Sequence, residues 1–234
     1  MQKFERYEFK YVLPIWIMDA VESEIMQFMQ LDKFVKNKKD KSYFVRSLYF
    51  ENQNNDNFYE KIDGIKFRTK YRIRTYSKSF NNNIFLEQKA KDNDRVFKKR
   101  INLNKETFDK IIDNKLDKIN LESINESDFY KEFVFKILKK KEYPKIVIDY
   151  NRRPLVSDYD SYFRISIDYN LVARNKNLSR KIECLKDHKI MEVKFFRRIP
   201  LWFHRIIQKY NLRRVSISKF VVGMKFLRYA EDLT

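Results

Sequence analysis

Between Lys66 and Tyr76, charged and packing residues alternate: Lys66, Arg68, Lys70, Arg72 and Arg74 stand at even positions, and Phe67, Thr69, Tyr71, Ile73 and Thr75 at odd ones. A β-strand sends successive side chains to opposite faces, so this spacing lines up five cations on one face and a packing row on the other. Same-side neighbours on a strand lie roughly 6.5–7 Å apart. Five positive groups in such a row repel one another unless a polyanion or neighbouring carboxylates compensate them, and the spacing suits a chain of phosphates.

The habit recurs along the chain. Arg6, Glu8 and Lys10 share a parity against Tyr7, Phe9, Tyr11 and Leu13, and Glu87, Lys89 and Lys91 share one with Leu86 opposite. Arg164, Ser166 and Asp168 oppose Phe163, Ile165 and Ile167; Glu192 and Lys194 oppose Val193 and Phe195. If these faces met water one by one, each Glu-x-Lys would be an exposed pair worth little. If they face inward together, cations and a few carboxylates share a strongly positive lumen, in which the acids are available to hold a divalent metal. Such an interior is costly when empty, because buried like charges need compensation. Stability given up in this way is a sign of function. Lys98-Lys99-Arg100 reads either as a continuation of the phosphate track or as an exterior patch for acidic lipid or an emerging polyanion.

Composition narrows the chemistry. Lys and Arg number 51 and Asp and Glu 32, a net charge of +19 that calls for an anionic partner: nucleic acid, lipid headgroups or a polyphosphorylated small molecule. Acids sharing the cationic parities would oppose a nucleic-acid backbone and serve no purpose without a metal, so nucleic acid is not the expected partner. With 2 glycines in the chain, glycine-rich phosphate loops and dinucleotide fingerprints are excluded, and side chains must hold phosphate. The single cysteine, Cys184, excludes an intrachain disulfide and a cysteine-rich zinc site, which fits a reducing compartment. No signal core or membrane-length apolar run is present, so the expected location is cytoplasmic, with the positive surface able to rest at the inner face of a membrane.

The elements that must position these rows follow from periodicity. Strands are expected at 4–13, 43–50, 66–76, 84–91, 95–101, 145–153, 161–171 and 189–197. Helices are expected from Ile15 to Leu31 behind Pro14, from Asn57 to Ile62 closed by Gly64, and from Pro200 to Lys209. A last helix carries Phe220 and Met224 and is capped by Ser216 or Ser218. A helical insertion at about 104–142 interrupts the strands, with a polar connection at 120–127. Residues 33–41 and 174–187 read as charged loops and Asp92-Asn93-Asp94 as a hairpin turn. Trp16 and Trp202 read as core, and His204 as a packing residue. The whole, 1–234, reads as one α+β domain whose strands can close into a barrel.

Taken in order, Arg6-x-Glu8-x-Lys10, Lys70-x-Arg72-x-Arg74, Glu87-x-Lys89, Arg152, Arg164-x-x-x-Asp168, Glu192-x-Lys194 with Pro200-Leu201-Trp202, and Ser218-Lys219-Phe220 form a pattern that resembles VTC domains. These are the polyphosphate polymerase domains of the triphosphate tunnel metalloenzyme (CYTH-like) superfamily. The resemblance implies an eight-stranded antiparallel β tunnel barrel with helices packed on the outside, an Mn2+ or Mg2+ ion, and transfer of the terminal phosphate of ATP onto polyphosphate. It assigns phosphate binding to Lys10, Lys70, Arg72, Arg74, Lys89, Arg152, Arg164, Lys194 and Lys219. Arg72, Arg74, Glu192 and Lys219 would be catalytic, with Glu192 the metal carboxylate and Glu8, Glu87 and Asp168 further acids in the lumen. Adjacent Arg153 competes with Arg152 for the inward position, and Asp168 reads equally as the partner of Arg164.

The same tunnel serves simple triphosphatases and adenylate cyclases, so a triphosphate hydrolase is the alternative activity, and a non-catalytic polyphosphate- or nucleic-acid-binding protein the alternative class. Eukaryotic polymerases of this kind also carry a phosphate-sensing domain and membrane helices. Neither occurs in these 234 residues, so coupled export is expected to use a membrane or membrane-protein partner.

Overall fold

The alternation of charged and packing residues is the pleat of real strands. The computed structural model describes residues 7–92, 95–113 and 128–231, the side chains of 91, 92, 95 and 96 excepted. Arg6, the turn residues Asn93 and Asp94, the side chain of Lys91 and the connection at 120–127 lie outside the described residues.

Among the described residues there are ten strands: β1 (Tyr7–Pro14), β2 (Gln30–Leu31), β3 (Tyr43–Glu51), β4 (Phe67–Thr75), β5 (Ile84–Asp92), β6 (Arg95–Leu103), β7 (Tyr143–Val156), β8 (Arg164–Asn175), β9 (Lys181–Cys184) and β10 (His188–Phe195). Seven helices accompany them: α1 (Ile15–Ile25), α2 (Lys33–Lys36), α3 (Asp56–Ile62), α4 (Lys105–Ile112), α5 (Asp128–Lys140), α6 (Leu201–Lys209) and α7 (Lys219–Phe226). The fold is α+β. Its strand order is β1-β10-β8-β7-β3-β4-β5-β6, with β2 on β7 and β9 on β8. This is an antiparallel path of eight strands plus two short ones, with β1 and β6 at its ends among the described residues.

The two extra strands sit where loop or helix was expected, since two to four residues are too few to show a period. The first helix ends at Ile25 instead of Leu31, because its buried positions Met18, Val21 and Ile25 give way to a turn and then to β2. Within the expected 33–41 loop, the Asp32 side chain accepts the Phe34 N–H at 3.0 Å and starts the single turn of α2. Asn104 caps α4 in the same way, accepting the Thr107 N–H at 2.7 Å. Gly64 takes φ +70° just beyond α3, the left-handed conformation that suits glycine.

The chain forms two compact units, one of Met1–Phe44, Asp149–Val172 and Glu183–Ser218, the other of Val45–Ile148, Ala173–Ile182 and Lys219–Thr234. In the first, Tyr11 and Leu13 of β1, Ile165 and Ile167 of β8, and Met191 and Val193 of β10 pack against Met18, Val21 and Ile25 of α1 and Phe203 and Ile206 of α6. Residues 213–218 run beside β1, where the Val215 N–H donates to the Lys10 carbonyl at 2.8 Å. In the second unit, Leu48, Phe50, Tyr71, Ile73 and Leu86 of the sheet pack against Phe108 and Ile111 of α4 and Tyr130, Phe133 and Ile137 of α5. Each such fully buried aliphatic or aromatic side chain contributes about 1.5–3 kcal/mol. In both units the core consumes one strand parity and leaves the charged parity on the opposite face.

Trp202 packs as expected, edge-on to Phe163 and stacked on Phe28 at 4.7 Å. Trp16 does not: it is 74% exposed, because it falls outside the 18-21-25 stripe of α1. His204 is likewise on the solvent side of α6, whose buried stripe is Phe203 and Ile206. No helix among the described residues is long and apolar enough to cross a membrane.

Candidate functional site

In the second unit the register of three antiparallel ladders sets the charged rows. Tyr49 of β3 stands opposite Arg72, Arg72 opposite Glu87, and Glu87 opposite Arg100. One step along, Ser47 faces Arg74 and Arg74 faces Phe85; one step the other way, Lys70, Lys89 and Lys98 form a row of three lysines. Glu87 is the hub. Arg72 Nε and Nη2 each lie 2.7 Å from its Oε2, Arg74 Nη1 lies 3.6 Å from the same oxygen, and Arg100 Nε lies 3.7 Å from Oε1. Burial alone would raise the Glu87 carboxyl, but Arg72, Arg74 and Arg100 outweigh it and hold the group down at about 2.

The arginines are oriented by their other contacts: Arg72 Nη1 donates to the Tyr49 hydroxyl at 3.3 Å and Arg74 Nε to Ser47 Oγ at 3.1 Å, while the Arg100 guanidinium lies 3.4 Å from the Phe85 ring centre. Burial would raise the Tyr49 phenol, yet Arg72, Arg74 and Lys219, the first residue of α7, bring it below its ordinary value. Lys70 turns away from its row. Its ammonium donates to the Asn57 carbonyl and sits 4.6 Å from the Phe220 ring centre, and burial pulls it down to about 7 against the opposing pull of Glu51. Like charges in register destabilise a sheet, and turning Lys70 to the Asn57 carbonyl takes one of the three charges out of the row.

In the first unit, the rows run Glu8–Lys194–Arg164, Lys10–Glu192–Ser166 and Val12–Ile190–Asp168 across β1, β10 and β8. Lys10 Nζ lies 3.5 Å from Glu8 Oε1 and 3.8 Å from Glu192 Oε1, and donates to the Ile217 carbonyl at 3.1 Å. Lys194 Nζ lies 3.4 Å from Glu192 Oε2. From β7, Arg152 grips Asp168 through Nε and Nη2 at 2.6 and 2.7 Å and reaches Glu192 with Nη2 at 3.0 Å. Burial would lower the Arg152 guanidinium, but Asp168, Tyr150 and Glu192 drive it well above its usual value. The strand pleat decides between neighbours: Arg152 joins the acids, and Arg153 points the other way to Glu22 of α1 at 2.6 Å. Asp168 is thus bound by Arg152, not by Arg164, which is exposed and donates to the Ser161 carbonyl at 3.3 Å.

Each candidate from the sequence with a described side chain therefore stands in a charged row or beside one. Lys98 and Arg100 lie on the same face as Lys89 and Glu87, while Lys99 faces oppositely and donates to Glu132 at 2.8 Å. Sequence reasoning missed Ser47 and Tyr49, which alternate with Leu48 and Phe50 but carry no charge to draw attention. It also left Ser166 without a role; its hydroxyl is buried opposite Glu192 with no hydrogen-bond partner.

Among the described residues, no group of three or more His, Cys, Asp or Glu side chains could hold a metal unaided. Glu8 and Glu192 instead share the Lys10 ammonium, two carboxylates arranged about one positive charge. That donor set fits a magnesium-like ion, which takes one or two carboxylates and completes its shell with phosphate oxygens and water.

The fold is an antiparallel α+β sheet in which each unit gathers arginines, lysines and a few carboxylates on the strand parity opposite its main core. Comparison with known proteins makes this specific: the VTC domain profile matches residues 5–228, and the chain belongs to that family. Solved structures share the fold. One, described as a candidate adenylate cyclase from Bacillus halodurans, is 12% identical, with a TM-score of 0.56 over 92% of this chain and 94% of that one. Another, from Hippeastrum, is described as a candidate adenylyl cyclase with a dominant triphosphatase activity; it is 12% identical, with a TM-score of 0.55 over 94% of this chain and 95% of that one. No curated protein matches the sequence.

Proposed function

We propose that this protein is a metal-dependent polyphosphate polymerase that transfers the terminal phosphoryl group of ATP to a polyphosphate chain. The observation that carries this reading is the hub at Glu87, where three guanidiniums from β4 and β6 converge on one carboxylate next to a row of lysines. Phosphate oxygens suit such a cluster, because the planar forks of Arg72 and Arg74 bind tetrahedral oxyanions at two points. Membership of the VTC family supports the same reading.

Phosphoryl transfer needs in-line geometry and positive charge around the spreading oxygens more than it needs covalent chemistry from the protein. A terminal oxygen of the acceptor polyphosphate bonds to the γ-phosphorus of ATP as the bond from that phosphorus to the β–γ bridging oxygen breaks, and ADP leaves. In the second unit, Arg72, Arg74, Lys89 and Lys219 bind and orient phosphates, with Lys70 held beside them. In the first, Lys10, Arg152, Arg164 and Lys194 do so, while Glu8 and Glu192 would hold the Mn2+ or Mg2+, with Asp168 fixing Arg152. When bound, such an ion neutralises phosphate charge and polarises the transferred group. No protein nucleophile is required.

ATP with manganese, resolved on gels that display chain length, tests the reading: growth of polyphosphate is expected, with loss of growth in Arg74→Ala and Glu192→Ala. Normal synthesis by both variants removes the assignment. The description of the Hippeastrum structure motivates one second reading, hydrolysis of triphosphates with water as acceptor. Orthophosphate released from tripolyphosphate without chain growth would favour it. We place the protein in the cytoplasm with peripheral membrane association, which cell fractionation tests directly.

A further inference from the structure

The core face of the second unit's sheet runs out from under its helices. Tyr71 is still covered by α5: Phe133 meets its ring at 5.2 Å, and Glu132 and Lys136 reach around it. One row further along the strands the register reads Thr69, Ala90, Phe97. The middle residue has a single side-chain carbon, and a cavity of about 310 Å³ opens there. Phe67 and Phe97 stand at it 68% and 41% exposed, an unusual position for large rings on a core face.

The polar groups of the cavity are as distinctive as its floor. Lys136 and Lys140 line it from α5, with Arg68 from β4. Glu142 lines it too; it is 8% exposed, and its Oε1 accepts from Asn57 Nδ2 at 3.0 Å. Burial pushes the Glu142 carboxyl up to about 7, so near neutrality it both donates and accepts. Glu60 spends Oε1 on Lys140 at 3.0 Å, and its Oε2 is buried with no partner. Three cations argue against an amine as ligand. Two solvent-facing rings and buried carboxyl groups are more than a bare phosphate needs.

We propose that this cavity is a separate binding site for a purine nucleotide, on the face of the sheet opposite the phosphate-binding rows. The planar base lies over Thr69 and Ala90 between the Phe67 and Phe97 rings, where stacking is sequence-tolerant and strong for a flat heterocycle. Its hydrogen-bonding edge meets Glu142 and the buried, unpartnered Oε2 of Glu60. The phosphate meets Lys136 and Lys140 of α5, in exchange for their contacts with Glu132 and Glu60. A volume near 310 Å³ is at the lower end of ligand cavities and matches a nucleoside monophosphate.

Calorimetry of the whole chain with AMP and GMP, at saturating tripolyphosphate so that the basic rows are occupied, tests the site. At least one of the two nucleotides is expected to bind one-to-one. Ala90→Leu, which fills the floor, and Phe97→Ala, which removes an already exposed ring, are each expected to weaken binding at least tenfold with circular dichroism unchanged. Arg74→Ala is expected to leave it intact. Absence of binding under tripolyphosphate, competition between tripolyphosphate and nucleotide, or binding indifferent to both cavity variants overturns the proposal. None of these outcomes depends on whether the protein makes polyphosphate, which the chain-growth assay reads independently.

Discussion

Glu87 shows how a single carboxylate is set by its neighbours. Its carboxyl drops from 4.5 to about 2 because the arginines around it outweigh burial, which amounts to roughly 3 kcal/mol at neutral pH. A depressed folded-state value means that this stabilisation is present above about pH 4.5 and is lost as pH falls toward 2. Glu87→Gln is expected to be less stable at pH 7 by about 1–3 kcal/mol, the cost of leaving a charged cluster uncompensated. Its stability is also expected to fall less steeply across that acid window. Denaturant titrations at a series of pH values check both; parallel curves for the two proteins would separate Glu87 from the acid transition. A second residue-level prediction concerns metal. On the proposed function, in which Glu8 and Glu192 hold an ion whose shell phosphate oxygens complete, chelation is expected to abolish phosphoryl transfer yet leave the melting temperature of the phosphate-free protein unchanged. A large fall in melting temperature on chelation would point to a metal held by protein alone.

At the scale of elements, β7 separates two adjacent arginines onto opposite faces, and their substitutions should differ accordingly. Arg152→Ala leaves Asp168, 2% exposed, without its bidentate partner, and is expected to cost about 3–5 kcal/mol. Adding Asp168→Asn should recover part of that loss, and a double-mutant cycle on denaturant midpoints measures the coupling. Gly223 makes a similar point for α7: a Cβ there would lie 2.3 Å from Ile148 Cδ1 and 3.3 Å from Ala173 Cβ, so Gly223→Ala must displace a buried side chain or the helix that begins at Lys219. A loss of about 1–3 kcal/mol is expected, with lowered transfer activity if Lys219 moves with the helix. These elements also mark what the sequence could tell. Arg72, Glu87, Lys10 and Glu192 were legible because charge against core at a two-residue period survives any pairing. Which of Arg152 and Arg153, or of Lys98, Lys99 and Arg100, joins the rows depends on register with strands far away in the chain. Ser47 and Tyr49 carry no charge to mark their parity, and β2 and β9 are too short for a pattern. Trp16 illustrates the reverse error, since hydrophobicity alone does not say which side of α1 a ring takes.

For the whole molecule, a net charge of +19 means that folding works against self-repulsion, and any multivalent anion that binds the folded rows should stabilise it. Free tripolyphosphate at a hundred times its dissociation constant would add about 2.7 kcal/mol, which a thermal scan resolves easily. Simple salt should add less, because it screens without being bound. The partner can be discriminated further, since Glu8, Glu87, Asp168 and Glu192 lie among the cations. A double-stranded nucleic acid cannot meet the arginines and lysines without approaching those carboxylates, whereas a thin phosphate chain can bind between side chains and, with a divalent ion, turn two of the acids to use. Polyphosphate is therefore expected to bind more tightly than DNA or RNA of equal charge, with magnesium or manganese strengthening polyphosphate binding and leaving nucleic-acid binding weak. Because binding that rests on counterion release alone weakens steeply with salt, the nucleic-acid curves should collapse between about 50 and 200 mM salt while polyphosphate with metal holds on. Anisotropy titrations of labelled polyphosphate, RNA and DNA across that range make the comparison, and equal affinities with equal salt slopes would mean that the protein reads charge and nothing finer.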